Sequence, residues 1–115
     1  MESKDIASLA VLAGEELLKS GAETYRVEET MERIALACGA KRAESLVLHT
    51  GLVLEVEAAD GQCVTRICRV GARSIHLDRI HKVNAVARRL EEGRTTPPQA
   101  AALLQRIARE HRAVP

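Results

Sequence analysis

The densest group of chemically capable side chains is the run ETYRVEET at residues 23–30. It combines carboxylates, hydroxyls and a guanidinium, a set that can bind a small polar ligand or stabilise negative charge. The carboxylates also have a structural explanation, because acids favour the first turn of a helix and pair with bases one turn on, as Glu29 can with Arg33. That explanation fits Tyr25 and Arg26 less well, so a binding or interface role for these two is left open.

Other kinds of site have less support in the residue spacing. Cys63 and Cys68 are five residues apart and would point to opposite faces of one strand. His76 and His81 lack the four-residue spacing that puts two metal ligands on one helix face. No Gly-x-Ser-x-Gly elbow and no glycine-rich phosphate loop is present. We therefore expect no metal, no cofactor and no catalytic residue.

The composition is that of a small globular domain. The chain has 115 residues, of which 46% are hydrophobic and 29% are charged, and Tyr25 is its one aromatic residue. The core must therefore be built from aliphatic side chains. Because proteins that bind single-stranded nucleic acids stack the bases on aromatic side chains, we expect no nucleic-acid partner. The sequence has no signal-peptide pattern and no apolar stretch of about 20 residues, and its three cysteines suit reduced thiols, so we expect a cytoplasmic protein.

Charge is divided unevenly along the chain. Residues 1–65 carry 6 basic and 12 acidic side chains, whereas residues 66–115 carry 11 and 4. The two halves can attract each other within the fold or across a dimer, which is the interpretation we favour. The alternative is that the basic half faces an acidic partner such as an anionic lipid surface or a nucleic acid.

Apolar spacing predicts four helices and a small sheet. Residues 6–17 and 27–38 repeat at three- and four-residue steps, and Thr24 is the expected cap of the second helix. Asp78 is the expected cap of the third helix, and the capping box in residues 96–99 begins the fourth. With β-rich runs between the helix pairs, the prediction is an α+β fold. It has two N-terminal helices, a three-stranded antiparallel sheet and two C-terminal helices packed on one sheet face.

The pair Asp60-Gly61 predicts a hairpin with a two-residue turn. Centring the turn on this pair fixes which residues lie opposite each other: Val56 and Thr65, Glu55 and Arg66, Leu54 and Ile67. The sheet face directed at the helices would then be apolar and comprise Leu52, Leu54, Val56, Ala58, Cys63, Thr65 and Ile67. The other face would carry a Glu55–Arg66 pair.

Five segments occur in an order that identifies a family. They are SGAETYRVEETMERIALACG, HTGLVLEV, DGQCVTRICRVGAR, HLDRIHKVNAVARRLEEG and TPPQAAALLQRI. Together they resemble the N-terminal cytosolic domain of the threonine/serine exporter family, from about Ala13 to Ile107. The resemblance implies one such domain over residues 1–115, without the transmembrane part. We therefore expect a fragment or a free-standing subunit that does not transport by itself.

The resemblance implies a domain of an amino-acid exporter on the cytoplasmic side of the membrane. Our first hypothesis is that it is a regulatory or assembly domain, without catalysis of its own, that binds a small polar ligand or holds subunits together. Its expected partners are a transmembrane transporter domain or subunit, a second copy of the chain, and an anionic membrane surface that Arg106, Arg109 and Arg112 would approach. The family's polar positions are expected to form one cluster where the second and third helices meet the sheet edge. They fall here on Glu23, Thr24, Arg26, Glu28, Thr50, Arg66, Arg69, Asp78 and Asn84.

Two other functions fit the same residues. In the first, the domain is a hydrolase that uses an acid of the cluster, with Arg26 or Arg69 stabilising negative charge. In the second, it is an oligomerisation domain, which predicts a large exposed apolar patch instead of a polar cleft.

Overall fold

The computed structural model describes residues 1–71 and 73–113, with side chains as far as residue 110. Within these ranges the elements follow in the order α1 (Ser3–Lys19), α2 (Thr24–Ala37), β1 (Arg42–Leu48), β2 (Gly51–Glu57), β3 (Cys63–Arg69), α3 (Leu77–Glu91) and α4 (Pro97–Ala113). The strands form an antiparallel sheet in the order β1-β2-β3. The predicted α+β class and element order are confirmed. None of the helices in the described ranges is long and apolar enough to cross a membrane.

Helices α1 and α2 cover one face of the sheet, and all four helices contribute side chains to the aliphatic core. Helix α1 packs on β2 and β3, and α2 packs on β1, whereas α3 packs against α1 and α2, and α4 packs against α1 and α3. Full burial of each large aliphatic side chain contributes about 1.5–3 kcal/mol relative to exposure in water. The largest buried side chains include Ile6, Leu17, Leu18, Met31, Ile34, Leu54 and Leu104.

Local signals predicted the start of α4 but missed the start of α2 by one residue and that of α3 by two. Gln99 N donates to Thr96 Oγ1 and Thr96 N donates to Gln99 Oε1, both at 3.3 Å, so the predicted capping box is confirmed. Thr24 and Asp78 are not caps: each lies inside its helix, and Glu23 and His76 occupy the cap positions without a side-chain cap bond.

The turn between β2 and β3 has three residues instead of the predicted two. Gly61 N donates to Ala58 O and Ala58 N donates to Gln62 O, each at 2.9 Å. Gly61 has φ of +87°, whereas Asp60 does not adopt a positive φ. A two-residue turn of the predicted type needs positive φ at both central residues, so a type I turn followed by a left-handed glycine forms instead.

The longer turn shifts the β3 register by one residue. Val56 lies opposite Val64 and Leu54 lies opposite Arg66, so the predicted pairs are wrong. A slip of one residue turns every β3 side chain to the other face. Val64, Arg66 and Cys68 therefore share the helix-facing side with Leu52, Leu54 and Val56, while Cys63, Thr65 and Ile67 face away.

The predicted Glu55–Arg66 pair is consequently absent. Glu55 accepts hydrogen bonds from Arg42 Nη2 at 2.7 Å and from Thr65 Oγ1 at 3.3 Å. The hydrogen bond from Arg42 is the main reason that the pKa of Glu55 lies below its usual value. Arg66 instead donates to Ser8 Oγ on α1 at 2.9 Å, which ties β3 to the first helix.

The first residue of β2 must be a glycine because another backbone passes close to it. Gly51 lies opposite Arg69, and a Cβ at this position would lie 2.7 Å from the carbonyl oxygen of Cys68. That distance is shorter than van der Waals contact, so a larger residue would push β2 and β3 apart.

Replacing Gly51→Ala should therefore lower the free energy of unfolding by about 1–3 kcal/mol, as overpacking does in other proteins. Urea denaturation followed by circular dichroism measures it. Gly71→Ala is the matched control, because a Cβ there meets nothing within 4 Å, and it should change the stability little. Equal effects of the two substitutions would contradict the close approach.

The β3 register also predicts the order in which two cysteines react. Cys63 is exposed, whereas Cys68 is half-buried on the helix-facing side, where burial raises the pKa of its thiol. With limiting iodoacetamide at pH 8, mass spectrometry should find Cys63 alkylated well before Cys68, and the difference should disappear in urea. Faster alkylation of Cys68 in the folded protein would favour the register predicted from the sequence.

Candidate functional site

A polar groove lies between α2 and α3 and has a volume of about 190 Å³. We call it the α2–α3 groove. Residues one helical turn apart supply its walls, since i and i+3 or i+4 lie on one helix face. Its lining residues are Arg26, Glu29, Thr30, Arg33, Asn84, Ala87, Arg88 and Glu91.

Arg33 joins the two walls of the α2–α3 groove. Its Nη1 donates to Glu29 Oε1 at 3.0 Å, and its Nε donates to Glu91 Oε2 on α3 at 2.9 Å. The Glu29–Arg33 pair is the one predicted from the sequence. The hydrogen bond to Glu91 contributes most to raising the pKa of Arg33 above its usual value. Both carboxylates of the groove are thus bound to one guanidinium, which holds the helices side by side.

Two guanidinium groups of the groove have no such partner. Neither the guanidinium of Arg26 on α2 nor that of Arg88 on α3 makes a hydrogen bond or ion pair with any other described residue; the Arg26 guanidinium lies 5.4 Å from the ring centre of Tyr25. The half-buried Asn84 amide also has no hydrogen-bond partner in the described ranges. Guanidinium groups bind carboxylates through paired hydrogen bonds, and an amide can donate and accept, so this arrangement suits a small anion.

The other predicted site residues do not join Arg26 and Asn84. Glu23 and Thr24 lie at the start of α2, and Asp78 is exposed in the first turn of α3. Glu28 Oε2 accepts a hydrogen bond from Val47 N at 2.8 Å, so this carboxylate fastens α2 to β1.

The three predicted site residues in the sheet and its β1–β2 turn lie outside the α2–α3 groove. Arg66 contacts Ser8 on α1, and Thr50 belongs to the β1–β2 turn, where its carbonyl accepts from Val70 N at 3.0 Å. Arg69 lies at the same end of the sheet as Thr50. The expected single cluster is therefore not formed, because α2 and α3 meet each other along their lengths instead of converging on the sheet edge.

The family model for threonine/serine exporters (ThrE) matches residues 8–115. The chain belongs to the threonine/serine exporter family. No curated protein and no solved structure matches it. The family resemblance seen in the five sequence segments is confirmed, and it relates this exporter-family chain to amino-acid transport.

Sequence reasoning missed one residue that organises the exporter-family fold. Arg73 donates through Nε to Leu18 O at 2.9 Å and through Nη2 to Ala22 O at 2.8 Å, and its Nη1 contacts His49 Nδ1. It thereby joins the α1–α2 connection to the β1–β2 turn. Arg73 is the last residue of the segment DGQCVTRICRVGAR, one of the five that carry the family resemblance, and this position could have drawn attention to it. The residue spacing does not indicate which backbone carbonyls its guanidinium binds.

Arg88 was also missed, because paired arginines on a helix suggested a solvated surface. The signal that could have found it is its position four residues after Asn84, which puts both on one face of α3. Arg89 does face elsewhere: with Arg106 and Arg109 it lines a shallow basic depression beside α4. The side chain of Arg112, predicted to belong with them, lies outside the described residues.

Proposed function

We propose that this chain is a regulatory or assembly domain of a threonine/serine exporter on the cytoplasmic side of the membrane, without catalysis of its own. We further propose that its α2–α3 groove binds a small carboxylate-bearing ligand. The observation that carries the proposal is the pair of uncommitted guanidinium groups, Arg26 and Arg88, on facing helices of one groove.

Charge and size favour a small anion or zwitterion in this groove. Glu29 and Glu91 are both engaged by Arg33, so the cations left over give the groove a positive character. Its volume of about 190 Å³ lies below the 300–1,000 Å³ usual for drug-sized ligands. A free amino acid fits these limits, with its carboxylate on Arg26 and Arg88 and its ammonium group near the carboxylate of Glu29 or Glu91.

The position of the groove gives a route from binding to regulation. A carboxylate held by Arg26 and Arg88 at once would favour one separation of α2 and α3, in the way that Arg33 already does. A ligand changes a conformational equilibrium only through different affinities for its states, and a groove between two helices provides that difference. The domain would then respond to the cytoplasmic concentration of the exported amino acid.

The hydrolase alternative finds less support. The groove contains two carboxylates, but both accept hydrogen bonds from Arg33. Both carboxylates are thus committed to ion pairs that join α2 to itself and to α3, which is a structural role.

The ligand proposal predicts that L-threonine and L-serine stabilise the protein, whereas threoninol, which lacks the carboxylate, does not. A ligand at 100 times its dissociation constant adds about 2.7 kcal/mol to the stability of the folded state. Arg26→Gln and Arg88→Gln should each weaken binding at least about tenfold, because charged hydrogen bonds contribute about 1.5–3 kcal/mol. Thermal shift and isothermal titration calorimetry measure both effects.

Arg94→Gln is the matched control for these variants, since Arg94 lies outside the groove beside Glu92. It should bind as the unaltered chain does. No stabilisation by millimolar threonine, serine or other small carboxylates would contradict the proposal, and so would binding that survives both groove substitutions.

We also propose that the basic surface around Arg106 and Arg109 faces anionic lipid beside a transmembrane partner. Each basic residue near an anionic bilayer contributes about 1 kcal/mol. The chain should therefore float with vesicles rich in phosphatidylserine at low salt, and Arg106→Glu with Arg109→Glu should abolish flotation, while Arg94→Glu should not. Equal behaviour with neutral phosphatidylcholine vesicles would count against this contact.

A further inference from the structure

The face of the sheet that points away from the helices has an apolar centre. Leu46 lies opposite Val53, and Val53 lies opposite Ile67, so the three side chains form one row across the strands. Leu46 is 59% exposed and Ile67 is 76% exposed, with Leu48 beside them at 60%. We call this surface the outer sheet face. A row of large aliphatic side chains in water is typical of an interaction surface.

Charges of opposite sign lie at the two ends of the outer sheet face. On one side of the apolar row, Arg42 is shared by Glu44, Glu55 and Glu57, so carboxylates are in excess there. On the other side Arg69, opposite Gly51, makes no ion pair with any other described residue. The face therefore runs from an acidic end through an apolar centre to a basic end.

We propose that the outer sheet face is a homodimer interface, in which two copies pack face to face about a two-fold axis running across the strands along the row Leu46–Val53–Ile67. This rotation lays the apolar row of each copy on its counterpart, with the sheets about 10 Å apart. It also reverses the strand direction, so Arg69 of each copy faces Thr65 and Glu55 of the other. The inference is independent of the proposed ligand site.

Charge selects this axis over the alternative. A two-fold axis along the strands would place Glu55 of one copy on Glu55 of the other, and like charges facing each other disfavour association. The axis across the strands pairs opposite charges twice, because each contact in a two-fold interface occurs in two copies. A second copy of this chain is thus an occupant that matches the apolar row and brings a carboxylate near Arg69.

Sedimentation velocity between about 1 and 300 μM tests the proposal. The chain should dimerise, and Ile67→Lys should abolish the dimer, while Leu36→Lys on the exposed side of α2 should not. Leu46→Lys replaces Ile67→Lys if circular dichroism shows that the latter does not fold. A monomer at every concentration, or a dimer that survives the substitutions in the apolar row, would overturn the proposal.

A charge exchange tests the orientation. Arg69→Glu should weaken the dimer at least tenfold, and adding Thr65→Lys should restore it, because the new lysine would face the new carboxylate across the two-fold axis. Failure of the double variant to recover would overturn the proposed axis. If the chain stays monomeric in solution but loses vesicle binding on Ile67→Lys, the outer sheet face contacts lipid and the dimer proposal is wrong.

Discussion

The three-residue turn closed by left-handed Gly61, with Asp60 outside the positive-φ region, sets which β3 side chains meet the helices. With φ of +87° at this one residue, the turn has three residues and β3 pairs with β2 in the observed register. A shift of one position would bury Ile67 under the helices and expose Val64 and Cys68. The core, the link from Arg66 to α1 and the apolar outer sheet face all depend on this constraint.

The domain presents two separate surfaces that α2 connects. On the helical side, the α2–α3 groove is held by Arg33 and offers two free guanidinium groups. On the sheet side, β1 contributes Leu46 to the outer sheet face. Between them, Glu28 accepts from Val47 N and Ser45 Oγ donates to Glu32 Oε2 at 2.7 Å, so α2 is bonded directly to β1. A movement of α2 caused by a ligand would therefore be passed to the sheet.

Local chemistry made the helices and the element order predictable, whereas the contacts between elements were not. The capping box of Thr96 and Gln99 involves neighbours in sequence, so the sequence alone identifies it. The residues Asp60-Gly61 suit both a two-residue and a three-residue turn, and the choice depends on how β3 packs. The site shows the same limit: helical spacing relates Asn84 to Arg88, but only the packing of α3 on α2 brings them to Arg26.

The β3 register can be measured directly by nuclear magnetic resonance. Ala58 N donates to Gln62 O and Val70 N donates to Thr50 O, so these are hydrogen-bonded pairs of the β2–β3 ladder. Hydrogen-bonded and non-hydrogen-bonded pairs alternate along the ladder, which makes Val53–Ile67 and Glu55–Thr65 non-hydrogen-bonded pairs with closely spaced Cα atoms. The structure predicts strong Hα–Hα contacts within Val53–Ile67 and Glu55–Thr65. Contacts within Leu54–Ile67 and Val56–Thr65 instead would contradict it, and the outer sheet face described above would not exist.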